Sequence, residues 1–146
     1  MRDVGTAVRK AIFTAINGNV LWEGAPVPVV DEKLDRLISE TDLYILIDTQ
    51  SETQLNVKCH YATSVNLTLR IVQKRQATNS KTVVENVVNQ IMQILKPTKI
   101  ATGFTLPDPF KLSLFTISSA EYQFSAEQGG FQIWKLISTT TRLTHE

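Results

Sequence analysis

The sequence contains few of the residues that most often carry chemistry. Of its 146 residues, one is cysteine and two are histidine. The single Cys59 cannot form an internal disulfide, so the cysteine count implies no oxidising compartment. Metal centres need His, Cys, Asp or Glu clustered at defined spacing, and the sequence shows no such cluster. We therefore predict that the protein binds no metal and no cofactor.

A strong charge of either sign is also missing. Fifteen basic and fourteen acidic residues leave a formal net charge of +1, whereas electrostatic binders of nucleic acids or membranes usually show a clear basic excess. No apolar run approaches the roughly 18 to 20 residues that span a bilayer. The N-terminal segment lacks the uninterrupted apolar stretch of a secretory signal. The sequence predicts one globular domain of intracellular type over residues 1–146, without membrane contact.

Catalytic motifs are absent as well. Neither GxGxxG nor GxxxxGK[ST] occurs, so no glycine-rich phosphate loop is predicted. Cys59 and His60 are adjacent, and adjacent strand residues point to opposite faces, so the two cannot act as nucleophile and base. Asp48 and Glu52 lie in a polar segment, which favours a solvated surface over general acid–base catalysis. We predict no catalytic residues and no enzymatic activity.

Two long segments show helical periodicity. Apolar residues within the first sixteen positions follow the i, i+3, i+4, i+7 spacing of one helix face, with Asp3 as the N-cap and Asn17-Gly18 as the stop. A second helix is predicted over residues 80–96 and is ended by a proline. The charged segment 31–40 is interpreted as a short surface helix.

The clearest strand pattern lies between these helices. Residues 43–47 form an apolar run typical of a strand buried on both faces, and residues 48–54 are interpreted as a turn. Apolar and polar residues then alternate over residues 55–71, which predicts a strand with one dry face. Its seventeen residues would span roughly 55 Å, whereas a domain of this size has a radius of gyration of about 15 Å. The segment must bend sharply, break into a hairpin that keeps the phase, or project towards another subunit.

The C-terminal third is predicted to be β-structure. Residues 112–117 and 121–125 have strand patterns, and residues 131–141 form their partner after a turn at Gln128-Gly129-Gly130. The whole chain is therefore predicted to be an α+β domain, in which an antiparallel sheet with a long hairpin carries the two main helices on one face.

Two features are candidate contact surfaces. The predicted loop over residues 99–109 is unusually apolar for a solvated connection. With the adjoining position, its candidate interface residues are Ile100, Phe104, Leu106 and Phe110. A run of basic residues, Arg70, Lys74, Arg75 and Lys81, leads from the end of the alternating strand to the second helix. It is interpreted either as a solvated turn or as a set of phosphate contacts. Its candidate residues are Arg70, Lys74 and Arg75.

The order of the segments resembles one protein family. The first helix leads into Val20-Leu21-Trp22-Glu23-Gly24-Ala25-Pro26. An apolar strand follows, then a strand that ends Leu67-Thr68-Leu69-Arg70-Ile71-Val72, then a helix that opens near Thr78-Asn79-Ser80. This is similar to the tail terminator (tail completion) proteins of tailed bacteriophages and to related neck-ring proteins. Their pattern is helix, a valine and an aromatic residue before a proline, strand, long hairpin, polar linker, helix and closing strands. Over residues 1–96 the resemblance covers both the order and the type of the segments. The C-terminal hairpin matches only loosely.

The resemblance implies a structural virion protein that forms a ring at the head-proximal end of the tail. Such a ring, a hexamer or a dodecamer, would cap the tail tube and join it to the head connector. Its partners would be further copies of the chain, the tail tube protein and connector or stopper proteins, with passive contact to DNA in the lumen. The protein would be assembled in the host cytoplasm and located in the virion.

The residues also leave a second class of function open. The apolar loop could form the mouth of a pocket, with Phe104, Leu106 and Phe110 around it. The protein would then be a non-enzymatic module that binds a small ligand or a peptide.

Overall fold

The two main helices predicted from periodicity are present. The computed structural model describes residues 3–31, 42–56, 61–74, 80–127 and 130–145. Helix α1 is Val4–Ile16 and helix α2 is Ser80–Leu95. The Asp3 side chain accepts a hydrogen bond from the Thr6 backbone N–H at 3.1 Å, which confirms the predicted N-cap. The predicted surface helix over residues 31–40 lies almost wholly outside the described residues.

A six-stranded sheet carries both helices. The strands, in chain order, are β1 (Leu21–Trp22), β2 (Ala25–Pro26), β3 (Val29–Val30), β4 (Leu43–Asn56), β5 (Tyr61–Gln73), β6 (Lys111–Ser119), β7 (Gln123–Glu127) and β8 (Gly130–His145). The sheet order is β3-β4-β5-β8-β6, and β7 also pairs with β8. Only the β3–β4 pairing of this sheet is parallel among the described strands. Strands β1 and β2 form a separate small hairpin.

The alternating segment is divided between two antiparallel strands, so the predicted hairpin is present. It does not keep the phase, because Leu55 pairs with Ala62 and therefore lies on the sheet face opposite Val65. Strand β4 ends at Asn56 and β5 begins at Tyr61, and the two pair in antiparallel fashion along their length. The interpretation of residues 48–54 as a turn was wrong, because these residues continue β4. Their polar character has a physical reason, since most of this stretch is exposed and an exposed strand needs no apolar side chains.

The main core lies between the helices and one face of the sheet. The β5 residues that face the helices include Val65, Leu67 and Leu69, all buried. They pack with residues of both helices, namely Val4, Val8, Ile12 and Ile16 of α1 and Val84, Val87, Val88, Ile91 and Leu95 of α2. The predicted α+β fold, with both helices on one face of a sheet built around a long hairpin, is therefore confirmed.

Strands β6 and β8 lie where the sequence predicts them and extend further, whereas β7 begins two residues later than predicted, at Gln123. Strand β8 continues to His145, because its last residues pair with β5 on one side and with β6 on the other. The hydroxyl of Thr139 within β8 is buried and donates a hydrogen bond to the Leu67 carbonyl at 2.9 Å. This buried polar group therefore has a hydrogen-bond partner. The first two residues of the predicted turn at residues 128–130 lie outside the described part of the chain.

Candidate functional site

The sheet face opposite the helices has an apolar end. Residues 43–47 were predicted to be buried on both faces, and Tyr44 and Leu46 are indeed buried on this side. Together with Val30 and Val72 they form a second small core, against which Trp134 of β8 packs. The apolar side chains at this end of the face are therefore covered by other residues of the same chain.

Arg70, one of the predicted contact residues, lies on this small core. Its guanidinium contacts the Asp48 carboxylate at 3.0 Å and stands 5.8 Å from the centroid of the Trp134 ring. Both side chains of the ion pair are partly exposed, so the pair contributes at most about 1 kcal/mol, and the cation–π contact a similar amount. Asp48, interpreted from the sequence as a solvated acid, thus neutralises Arg70 locally.

Lys74, the second predicted basic residue, lies on the same face. Its ammonium group stands 5.6 Å from the centroid of the Tyr44 ring. Burial raises the pKa of the Tyr44 hydroxyl above its usual value, while the charge of Arg70 opposes that shift. The structure therefore brings Arg70 and Lys74 together and engages both in contacts within the chain. Arg75, Cys59 and His60 lie outside the described residues.

The rest of this sheet face is rich in hydroxyl groups. Strand register places the following side chains on it: Ser51, Thr53, Ser64, Asn66, Thr68, Thr116, Ser118, Ser138 and Thr140. Most of them are exposed or half-buried, and the Thr140 hydroxyl donates to Asn66 Oδ1 at 2.9 Å. The exposed Arg142 shares this face, since it pairs with Ser64. The surface thus offers many hydrogen bonds and one positive charge, which suits a hydrated protein–protein contact. We call it the hydroxyl face. No short motif marks it, because each strand contributes only every second residue.

The apolar loop separates into one exposed side chain and several inward-facing ones. Ile100 is 95 % exposed, whereas Phe104 and Phe110 are only 7 % and 8 % exposed. The Phe104 ring meets Phe115 edge-to-face at 5.0 Å between centroids, and Leu106 packs partly buried on the same core. Two of the predicted interface residues are therefore core residues of this chain, and Ile100 is the one whose side chain is available to a partner.

Thr98 holds the exposed part of this loop in shape. Its hydroxyl accepts hydrogen bonds from the backbone N–H groups of Ile100 at 3.3 Å and Ala101 at 2.9 Å. Such a side-chain turn fixes the backbone that carries Ile100. The apolar side chain is therefore presented to solvent by an ordered turn.

A shallow groove lies between α1 and the same loop. Its volume is about 410 Å³. It is lined by Ala7, Lys10, Ala11, Thr14, Ala15, Gly103, Phe104, Thr105 and Pro107. Phe104 contributes to it, as the pocket hypothesis expects, whereas Leu106 and Phe110 are not part of this lining.

The sequence did not draw attention to a polar contact between α2 and the end of the sheet. The Tyr122 hydroxyl donates to Glu85 Oε2 at 2.8 Å, and the Lys135 ammonium stands 4.6 Å from the Tyr122 ring centroid. Burial and the Glu85 carboxylate raise the pKa of Tyr122 to about 12. These residues are far apart in the chain, so no local motif could have indicated the contact.

Replacing Tyr122 should reveal its raised pKa in the pH dependence of stability. The folded-state pKa lies above the ordinary value of 10.0. The contribution of the neutral Tyr122 hydroxyl to the free energy of unfolding is therefore complete below pH 10 and is lost as the pH rises towards 12. We expect Tyr122→Phe to lower the free energy of unfolding by about 1 kcal/mol at pH 8 through the lost hydrogen bond. The difference from the unmodified protein should shrink above pH 10. Urea unfolding at several pH values measures both, and a difference independent of pH would contradict the contact.

Neither a metal-binding cluster nor a membrane-spanning helix occurs in the described part of the chain. Within those residues, no group of three or more His, Cys, Asp or Glu could hold a metal ion. No helix among them is long and apolar enough to cross a membrane. Comparison with protein-family models and with curated proteins gives no match to this chain.

Proposed function

We propose that this chain is a structural subunit of a bacteriophage tail terminator or neck ring. The ring would form at the head-proximal end of the tail, where it would cap the tube and offer a surface to the head connector. The partners would be further copies of the chain, the tube protein and connector or stopper proteins. No catalytic step is part of this proposal.

The observation that carries the proposal is the order of the structural elements. A helix of 13 residues is followed by Trp22 and Pro26, a strand, a long hairpin, a second helix and closing strands, which is the order on which the family resemblance rests. The segment around Trp22 is fixed to α2, since the Gln90 amide bonds both the N–H and the carbonyl of Leu21 at 2.9 and 2.8 Å. The segment around Trp22 and the second helix, both parts of this order, are therefore in direct contact.

The surface gives separate support for a protein that acts through contacts. Three large hydrophobic side chains are exposed among the described residues, namely Leu21, Ile100 and Leu114. Ile100 is presented by an ordered turn, and Leu114 lies at the margin of the hydroxyl face. We take Ile100 and Leu114 as the contact points to test, because each would remove exposed apolar surface from water in an assembly.

Light scattering over a concentration series tests the proposal. We expect a discrete species of six or twelve subunits, and we expect Ile100→Asp to shift the series towards the monomer without changing urea unfolding. Asn89→Asp is the matched control, because it adds the same charge at an exposed position of α2 and should leave the mass unchanged. A protein that stays monomeric over the whole series, at low and high salt, contradicts a self-assembling ring.

The groove beside α1 favours the alternative of a ligand-binding module. Its lining of alanines and Phe104, with Lys10 among them, would suit a small apolar anion. Titration with anilinonaphthalene sulfonate distinguishes the two functions when Ala11→Phe is used to fill the groove. Under the alternative this variant loses binding and keeps its mass in solution. Under the ring proposal, specific binding to the unmodified protein is not expected.

A further inference from the structure

The sheet ends on each side in a strand edge without a neighbouring strand. On one side, β3 pairs with β4 only at Ile45 and Leu46. We call residues 47–53 the β4 outer edge. On the other side, β6 pairs only with β8, and we call residues 114–119 the β6 outer edge. Among the described residues, the first segment pairs only with β5 and the second only with β8, so each has one side without a strand. Both therefore carry backbone groups that point away from the sheet.

The two outer edges lie at the same level of the sheet. The pairing register from β4 through β5 and β8 to β6 places Leu114 on the same row as Thr53 and Ser119 on the same row as Ile47. Each strand along this path is antiparallel to the next, so three successive pairings leave β6 running antiparallel to β4. The two edges therefore match in position and have opposite directions.

We propose that β6 of one subunit pairs with β4 of the next, so that the ring contains one continuous antiparallel sheet. This inference rests on the proposed ring function. Two copies placed side by side, with neither turned over, bring the two outer edges together as an ordinary antiparallel pair. The contact joins two different surfaces of the chain, and such a head-to-tail contact builds a ring when the rotation between successive copies closes on itself.

The charges on the two edges favour a second copy as the occupant. The β4 outer edge carries Asp48 and Glu52 and no basic residue, whereas the β6 outer edge carries no charged residue. Pairing β4 with β6 therefore brings no like charges together, while pairing β4 with another β4 would oppose acidic edges. The head-to-tail arrangement avoids that repulsion.

Leu114 gives this pairing an apolar contact. Its side chain is 44 % exposed and lies on the hydroxyl face at the β6 outer edge. In the proposed pairing it stands opposite Thr53 of the next copy, where Cβ atoms of directly opposed residues are about 4.5 to 5.5 Å apart. The exposed leucine would then be covered by the neighbouring strand.

One contact of the free subunit competes with this pairing. The Lys96 ammonium donates to the Phe115 carbonyl at 2.7 Å, so one acceptor of β6 is already occupied. Lysines at strand edges oppose association between edges. A neighbouring β4 would replace this hydrogen bond by a backbone one.

Disulfide cross-linking tests the pairing and its register. We would introduce Thr53→Cys and Leu114→Cys together in a Cys59→Ser background. Within one chain these positions are separated by three strand spacings, about 14 Å, which exceeds what a disulfide can bridge. Oxidation should therefore link different copies and give a ladder up to the mass of the ring in a non-reducing gel. The ladder should disappear on reduction.

The matched control moves one cysteine by two residues along the same strand. Thr53→Cys with Thr116→Cys keeps both thiols on the hydroxyl face, but places them diagonally at about 7 to 8 Å in the proposed register. The ladder should be lost, or should form far more slowly, in this variant. Equal ladders from both pairs would overturn the register.

Light scattering on the same samples separates this proposal from the ring proposal. An assembled species of six or twelve subunits that gives no ladder with Thr53→Cys and Leu114→Cys overturns the edge pairing and leaves the ring intact. A monomer that gives no ladder overturns both. A ladder that ends at the mass found by light scattering supports both.

Discussion

Leu67→Lys is expected to prevent the domain from folding, whereas Thr68→Lys, one residue further on, should be tolerated. Leu67 is 1 % exposed and lies in the core beneath both helices. A lysine there loses the leucine packing and buries an unpaired charge, which together cost at least about 5 kcal/mol. Thr68 lies on the hydroxyl face and is half-buried, so its replacement should cost no more than about 1 kcal/mol.

Far-UV circular dichroism and urea unfolding measure this contrast. If Leu67→Lys cannot be purified, Leu67→Ala provides a milder variant, expected to lose about 3 to 5 kcal/mol. Similar losses at positions 67 and 68 would contradict the assignment of β5 to one buried and one solvated face, because neighbouring strand residues point to opposite sides.

The second large effect concerns the loop predicted to be an interface. Phe104→Ala is expected to lower the free energy of unfolding by about 3 to 5 kcal/mol and the melting temperature by roughly 10 °C. The reason is that Phe104 is 7 % exposed and packs edge-to-face on Phe115. The variant would leave a cavity in the core of the subunit.

Ile100→Ala is the matched comparison from the same loop. Its side chain is 95 % exposed, so stability should change by no more than about 0.5 kcal/mol. Thermal unfolding of dilute monomer measures both variants. If Ile100→Ala were as destabilising as Phe104→Ala, the division of the loop into core and surface residues would be wrong.

The helices and the main hairpin could be predicted because local periodicity reports burial. In α1 and α2 the apolar spacing of one helix face coincides with the residues that meet the sheet. The alternation in β5 identified the buried face, and the size of the domain required the alternating segment to bend, break or project. Both arguments use neighbours in the chain, which the sequence contains directly.

The polar half of β4 and the role of the apolar loop could not be predicted in the same way. Residues 48–54 resemble a turn because an exposed strand places few demands on its side chains. The loop was apolar for a reason its composition could not reveal, since Phe104 and Phe110 complete the core of the subunit itself. An apolar side chain signals that something must cover it, but not whether that cover is the same chain or a partner.

By itself, the sequence determined the fold class, both main helices and the buried face of β5. It also predicted that the chain has no catalytic residues. Tertiary structure alone placed Arg70 against Asp48 and Trp134 and joined Tyr122 to Glu85. It also brought alternate residues of several strands together in the hydroxyl face, and it left the outer edges of β4 and β6 on opposite sides of one sheet. The physical reason is distance along the chain. The periodicity of a segment indicates which of its faces is buried. A site built across several strands depends instead on strand pairing and register, which are fixed only when segments remote in the chain pair with each other.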